Sequence, residues 1–119
     1  MHFISEDLED YVANHSQAEP ELLAKLNKET YQKIMQPRML SGHFQGRVLS
    51  MLSKIIRPKH ILEIGTYTGY AALCLAEGLA ENGTLDTIDI EEELVDFQRK
   101  YFDDSPWKDQ IFQHLGDAV

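Results

Sequence analysis

Glu63 stands two residues ahead of Gly65, and Gly65-Thr66-Tyr67-Thr68-Gly69 runs straight into the alanine-rich "YAALCLAEGLAE". Asp89 closes a second apolar run, "GTLDTIDI", twenty residues past Gly69. A glycine at each end of such a turn lets the chain reverse tightly and lets a ligand lie on the backbone with no Cβ in the way. When a strand feeds the turn and a helix leaves it, the site sits beyond the carboxyl end of the strand, where open α/β sheets bind ligands.

The turn itself narrows the ligand. A triphosphate-gripping loop needs Gly-Lys followed by Ser or Thr, but Gly69 is followed by Tyr70-Ala71, which excludes ATP or GTP hydrolysis. A dinucleotide fingerprint needs G-x-G-x-x-G; position 67 is Tyr, and no third glycine falls in place. Glu63 would also set negative charge near a pyrophosphate, so NAD is disfavoured and stands only as an alternative. S-adenosylmethionine carries an adenosine without phosphates. Its sulfonium and amino groups are cationic, so an acid beside the turn favours it. Asp89 stands where an acid accepts hydrogen bonds from ribose hydroxyls. Each acid has a plainer reading, Asp89 as a helix N-cap before "EEEL" and Glu63 as a strand residue paired with a base. With the turn between them, the cofactor reading is favoured.

Composition bounds the rest. The 119 residues carry a net charge of −9, which argues against binding nucleic-acid backbones or anionic membrane surfaces. The single cysteine, Cys74, excludes an intrachain disulfide and a Cys-based zinc site, and its apolar helical setting reads as an inert buried thiol. His2, His15, His43, His60 and His114 show no i, i+4 pairing and no acid at ligand spacing, so no metal role is expected of them. The N-terminus has neither a basic nor an apolar signal region, and no stretch approaches a bilayer span, so a cytoplasmic protein is expected.

The elements that position the turn fall into two parts. Residues 1–58 read as N-terminal helices: one capped by Ser5 with Leu8, Tyr11 and Val12 on one face, and one opened by Pro20. After the break at residues 36–43, a third carries Val48, Leu49, Met51, Leu52, Ile55 and Ile56 in the pattern of a well-buried helix. Residues 59–119 alternate strand and helix: "HILEIG", "YAALCLAEGLAE", "GTLDTIDI", "EEELVDFQRKYF" and "IFQHL". That alternation predicts βαβ units and a parallel sheet in an α/β, Rossmann-like fold. Only three strands are visible, and "GDAV" reads as a strand-to-helix turn. The expectation is the first half of a domain in a protein of about 200 residues.

"ILEIGTYTGYAAL…GTLDTIDIEEE" closely resembles the cation-dependent class I O-methyltransferases of the caffeoyl-CoA and catechol O-methyltransferase-like group. "MLSGHFQGRVLSML" looks like that family's segment upstream of the turn, and "HLGDA" like its third-strand turn. The resemblance implies methyl transfer from S-adenosylmethionine to a hydroxyl of a small aromatic, catechol-like acceptor. By the same resemblance, Met39 covers the cofactor. Glu63, Gly65, Thr66 and Tyr67 line its methionine part, and Gly69 and Tyr70 complete the turn. Asp89 holds the ribose, Ile90 lies along the adenine, and Asp117 and Ala118 lie at the adenine edge. Ala71 replaces a serine common in the family, and Arg47 is more polar than usual after the upstream glycine. The family's Mg²⁺-type divalent cation is held by aspartates that would lie beyond Val119. The chain alone is therefore expected to be inactive and to form a homodimer through the exposed edge of its first strand. A non-catalytic nucleoside-binding half-domain is the remaining alternative.

Overall fold

The structure, a computed structural model, describes residues 4–119; His2 falls outside them. Five helices, α1 (Glu6–His15), α2 (Glu21–Lys33), α3 (Gly42–Ile56), α4 (Tyr70–Ala76) and α5 (Val95–Asp103), accompany three strands. The strands are β1 (His60–Ile64), β2 (Thr84–Asp89) and β3 (Ile111–Leu115). They pair in parallel in the order β1-β2-β3, as the strand–helix alternation predicts. The two parallel connections advance in the same direction, and the right-handed crossover that such connections favour puts α4 and α5 on one face of the sheet. On that face Leu85, Thr87 and Ile111 are buried with Leu73, Tyr101 and Phe102. On the other face Leu62, Ile64 and Phe112 are exposed.

Three local readings need correction. Helix α3 is not well buried through its apolar stripe: Met51, Leu52, Ile55 and Ile56 are exposed, while Gly46, Arg47, Ser50 and Ser53 face inward. The reason is the close crossing of α3 over α4. A Cβ on Gly46 would come within 2.7 Å of the Tyr70 ring, and one on Gly78 within 2.2 Å of the Ser53 backbone. Only the small-residue side of α3 can approach that closely. The helix after the glycine turn also ends at Ala76, well short of the run of helix formers. Ser53 donates a 2.6 Å hydrogen bond to the Leu75 carbonyl. The Leu79 amide, which would have bonded that carbonyl in a continued helix, turns to Ala76 instead. Finally, Leu8 and Tyr11 of α1 share a face as read, but that face is exposed, and Ser5 sits at the N-cap without a side-chain cap bond.

The N-terminal segment is tied down by polar groups. Arg47 donates to both carboxylate oxygens of Glu77, at 2.5 and 3.1 Å, and to Gln17 at 3.1 Å. Tyr101 and Lys100 of α5 meet Glu29 of α2. These charge-assisted bonds, with those of Lys33, draw the Glu29 carboxyl down to about 2 against the effect of its burial.

Candidate functional site

The turn after β1 is built on backbone that glycine favours. Gly65 and Gly69 have φ of +95° and +97°, and a Cβ on Gly69 would sit 2.7 Å from the Phe102 ring. A Cβ on Gly65 would meet no protein atom within 4 Å, so the backbone there is open to a ligand. Between them Tyr67 holds φ of +50°, a left-handed conformation disfavoured for a bulky side chain. Its amide donates to Asp89 Oδ2 at 2.8 Å, and the Glu91 amide donates to Asp89 Oδ1 at 2.9 Å. The Asp89 carboxylate is thus brought against the turn from β2. Each of its oxygens retains acceptor capacity beyond the backbone bond.

Glu63 lies beneath the turn. Its Oε1 accepts a 2.6 Å bond from the Thr87 hydroxyl, so its partner is a hydroxyl and not a base. With the Thr87 proton so committed, Thr66 supplies the hydrogen of the 2.5 Å contact between the two threonines. Burial pushes the Glu63 carboxyl from the ordinary 4.5 to about 7; the Thr87 bond opposes that rise and the negative charge of Asp89 adds to it. Two acids beside an open glycine turn suit a cationic ligand.

A cavity of about 260 Å³ opens at the carboxyl ends of the strands, and its walls include Gly65, Asp89, Ile90, Asp117 and Ala118. Five of the residues singled out from the sequence therefore meet at one place. Met39 is exposed, in the short turn Pro37–Met39, and the Tyr67 hydroxyl donates at 2.8 Å to the Gln36 carbonyl of the same connection. The Thr66 and Tyr70 side chains point into the protein, which leaves only their backbone for a ligand. The Tyr70 hydroxyl donates to Glu19 at 2.5 Å, and burial together with that bond raises its pKa well above the usual phenol range. A second cavity of about 240 Å³, walled by Leu22, Leu23, Leu73 and Trp107 among others, contains no residue of the turn.

Two residues escaped the sequence reading. Gln98, buried on α5, donates to the Tyr67 carbonyl at 2.6 Å, and Gln113 on β3 donates to Gln98 at 2.9 Å. A signal existed: Gln98 shares a helical face with Tyr101 and Phe102, and a polar residue on a core face calls for a partner. Cys74 is buried, and the loss of solvation pushes its thiol up to about 12, which keeps it protonated. Among the described residues no group of three or more His, Cys, Asp and Glu side chains could hold a metal ion. These residues do not fit a divalent cation. No described helix is long and apolar enough to cross a membrane.

An O-methyltransferase family model matches residues 13–119. The chain belongs to that family. It is 38% identical over 91 residues to caffeoyl-CoA O-methyltransferase 1 of Zea mays, an alignment covering 75% of this chain and 35% of that protein. It is 31% identical over 75 residues to the catechol O-methyltransferase of Niastella koreensis, covering 63% of this chain and 34% of the relative. The O-methyltransferase from Bacillus cereus, solved in complex with SAH, superposes with a TM-score of 0.86 at 26% identity. That match covers 94% of this chain and 50% of the Bacillus chain. The family resemblance read from the turn and the α/β class read from the alternation both hold. This O-methyltransferase chain spans about a third of the length of these two relatives and half of the solved structure.

Proposed function

We propose that residues 59–119 form the S-adenosylmethionine-binding half of an O-methyltransferase and residues 1–58 an N-terminal helical part, of which α2 and α3 pack against α4. The observation that carries this reading is the Asp89 carboxylate, pinned by the Tyr67 and Glu91 amides at the wall of a cavity that also exposes Gly65. When bound, the cofactor supplies a methyl group on a cationic sulfur, for transfer to a hydroxyl of a small catechol-like aromatic. This chain's residues bind and orient it: Asp89 accepts from the ribose, Ile90, Asp117 and Ala118 flank the adenine, and Glu63 offers its charge to the methionine end. Gly65, Thr66, Tyr67, Gly69 and Tyr70 contribute backbone, and Met39 folds over from the connection. Holding donor and acceptor in line is itself a large share of such catalysis. The divalent cation implied by the family belongs to residues outside this chain, which alone transfers no methyl group. Its net charge of −9 fits a cytoplasmic enzyme with neither nucleic-acid nor membrane partners.

Calorimetry with S-adenosylhomocysteine tests the cofactor reading. Asp89→Ala should weaken binding by about 1–3 kcal/mol, the range for orphaning a hydrogen-bond partner. Unchanged affinity would reduce Asp89 to a brace for the turn.

The homodimer is part of the same proposal. Among the described residues β1 pairs only with β2, so its outer edge carries unpaired backbone groups beside exposed Leu62 and Ile64. An exposed apolar edge is a template for a second strand. Sedimentation should give a dimer at micromolar concentration, and Leu62→Lys should give a monomer. A wild-type monomer refutes this part alone.

A further inference from the structure

Tyr67 is held through both of its backbone polar groups, which lie on either side of its α-carbon. Its amide donates to Asp89 Oδ2 at 2.8 Å, and its carbonyl accepts from Gln98 Nε2 at 2.6 Å. Left-handed backbone at a tyrosine is disfavoured and persists where surrounding contacts fix it. The orientation of the Gln98 amide is determined by its neighbours. The Tyr67 carbonyl can only accept, so Nε2 must face it, and Oε1 must face Gln113. Gln113 is set in turn by the Val95 carbonyl, to which its Nε2 donates at 3.0 Å. At its other atom, Gln113 Oε1 accepts from Arg99 at 3.5 Å. A single polar chain therefore runs Gln113–Gln98–Tyr67–Asp89, from β3 through α5 and the turn to β2. Gln98 is 2% exposed, and water cannot readily take its place.

We propose that Gln98 is a positioning residue for the cofactor site, holding Tyr67 in its left-handed conformation so that the Tyr67 amide fixes the Asp89 carboxylate at the cavity wall. Gln98 itself does not line that cavity. It acts only through the backbone of the turn. Its effect on affinity rests on the cofactor reading; its effect on the Tyr67 amide does not. Without the Gln98 donor, the Tyr67 carbonyl is left unpaired, the peptide is free to leave the left-handed well, and Asp89 loses one of its two backbone donors.

Gln98→Met keeps the length of the side chain and removes both its polar atoms. Two measurements on the 119-residue chain test the proposal. In amide exchange by NMR, the Tyr67 N–H should exchange at least about tenfold faster in Gln98→Met, while Leu85 in the middle of β2 keeps its protection. In calorimetry with S-adenosylhomocysteine, Gln98→Met should raise the dissociation constant about tenfold in the wild-type background and less than about twofold in Asp89→Ala, since the two act along one path. Unchanged Tyr67 protection overturns the proposal, and so does an equal affinity loss in both backgrounds, which is what a general loosening of the core would give. If the wild-type chain binds no S-adenosylhomocysteine, the cofactor reading fails and the amide measurement alone decides the role of Gln98. If Gln98→Met does not fold, Gln113→Met breaks the chain one link earlier and must speed Tyr67 exchange selectively.

Discussion

Glu63→Gln is expected to stabilise the folded chain and, at the same time, to weaken its grip on a cationic cofactor. Burial holds the Glu63 carboxyl at about 7, against 4.5 in the ordinary state. A group whose folded pKa is raised contributes stability that is fully present below 4.5 and lost as pH rises through about 7. That difference in pKa is equivalent to about 3 kcal/mol between the two ends of the window. Glutamine cannot ionise, and its carbonyl can still accept from Thr87. Urea unfolding should therefore show Glu63→Gln matching wild type near pH 4 and exceeding it by up to about 3 kcal/mol at pH 8. Binding runs the other way. A cationic ligand favours the carboxylate, so wild-type affinity for S-adenosylmethionine should rise with pH through 7 and a proton should be released on binding below it. In Glu63→Gln this pH dependence should vanish and the affinity at pH 8 should fall. Calorimetry in buffers of different ionisation enthalpy reads the proton directly. An unchanged stability profile would mean that the carboxyl is solvated. A flat binding profile would place the cation away from Glu63.

The turn was legible because its information is local. Gly65 and Gly69 announce a backbone that few other residues adopt, and the acids at 63 and 89 sit at the ends of strands whose alternation with helices is plain in the sequence. The parallel sheet followed from the same alternation. Helix α3 was misread because its period carries no label for which neighbour it meets. Met51, Leu52, Ile55 and Ile56 mark an apolar face, but the contact formed within these residues is the close crossing on α4, where Gly46 and Gly78 leave no room for side chains. The length of α4 was misjudged because its end is set by a serine on another helix. Gln98 was missed because its importance lies in a carbonyl thirty-one residues away, which no local pattern names.

Arg47 reads from the sequence only as a departure from the family pattern, and the structure makes it the substitution with the largest expected effect on stability. Its side chain is 8% exposed and that of Glu77 is 13% exposed, and the pair is bidentate. The Glu77 carboxylate holds the guanidinium pKa above its usual value, with burial opposing. Glu77 also stands at the C-cap of α4, where the negative end of the helix dipole repels a carboxylate. Lys54, at 3.7 Å and half-exposed, gives it little compensation. Arg47→Met would keep most of the apolar stem while leaving Glu77 largely buried without its main partner, and it would release Gln17 from α3. Breaking a buried pair from one side costs about 3–5 kcal/mol, a large part of the 5–15 kcal/mol that holds an ordinary domain together. The double variant Arg47→Met/Glu77→Leu removes both charges and should recover most of that loss, because an apolar pair of similar volume is often neutral in such a site. Denaturant unfolding of the two single variants and the double gives the coupling directly. A loss below about 1 kcal/mol for Arg47→Met would mean that water reaches Glu77 and that the close crossing at Gly46 and Gly78, with the Ser53 bond to Leu75, is enough to hold α3 to α4.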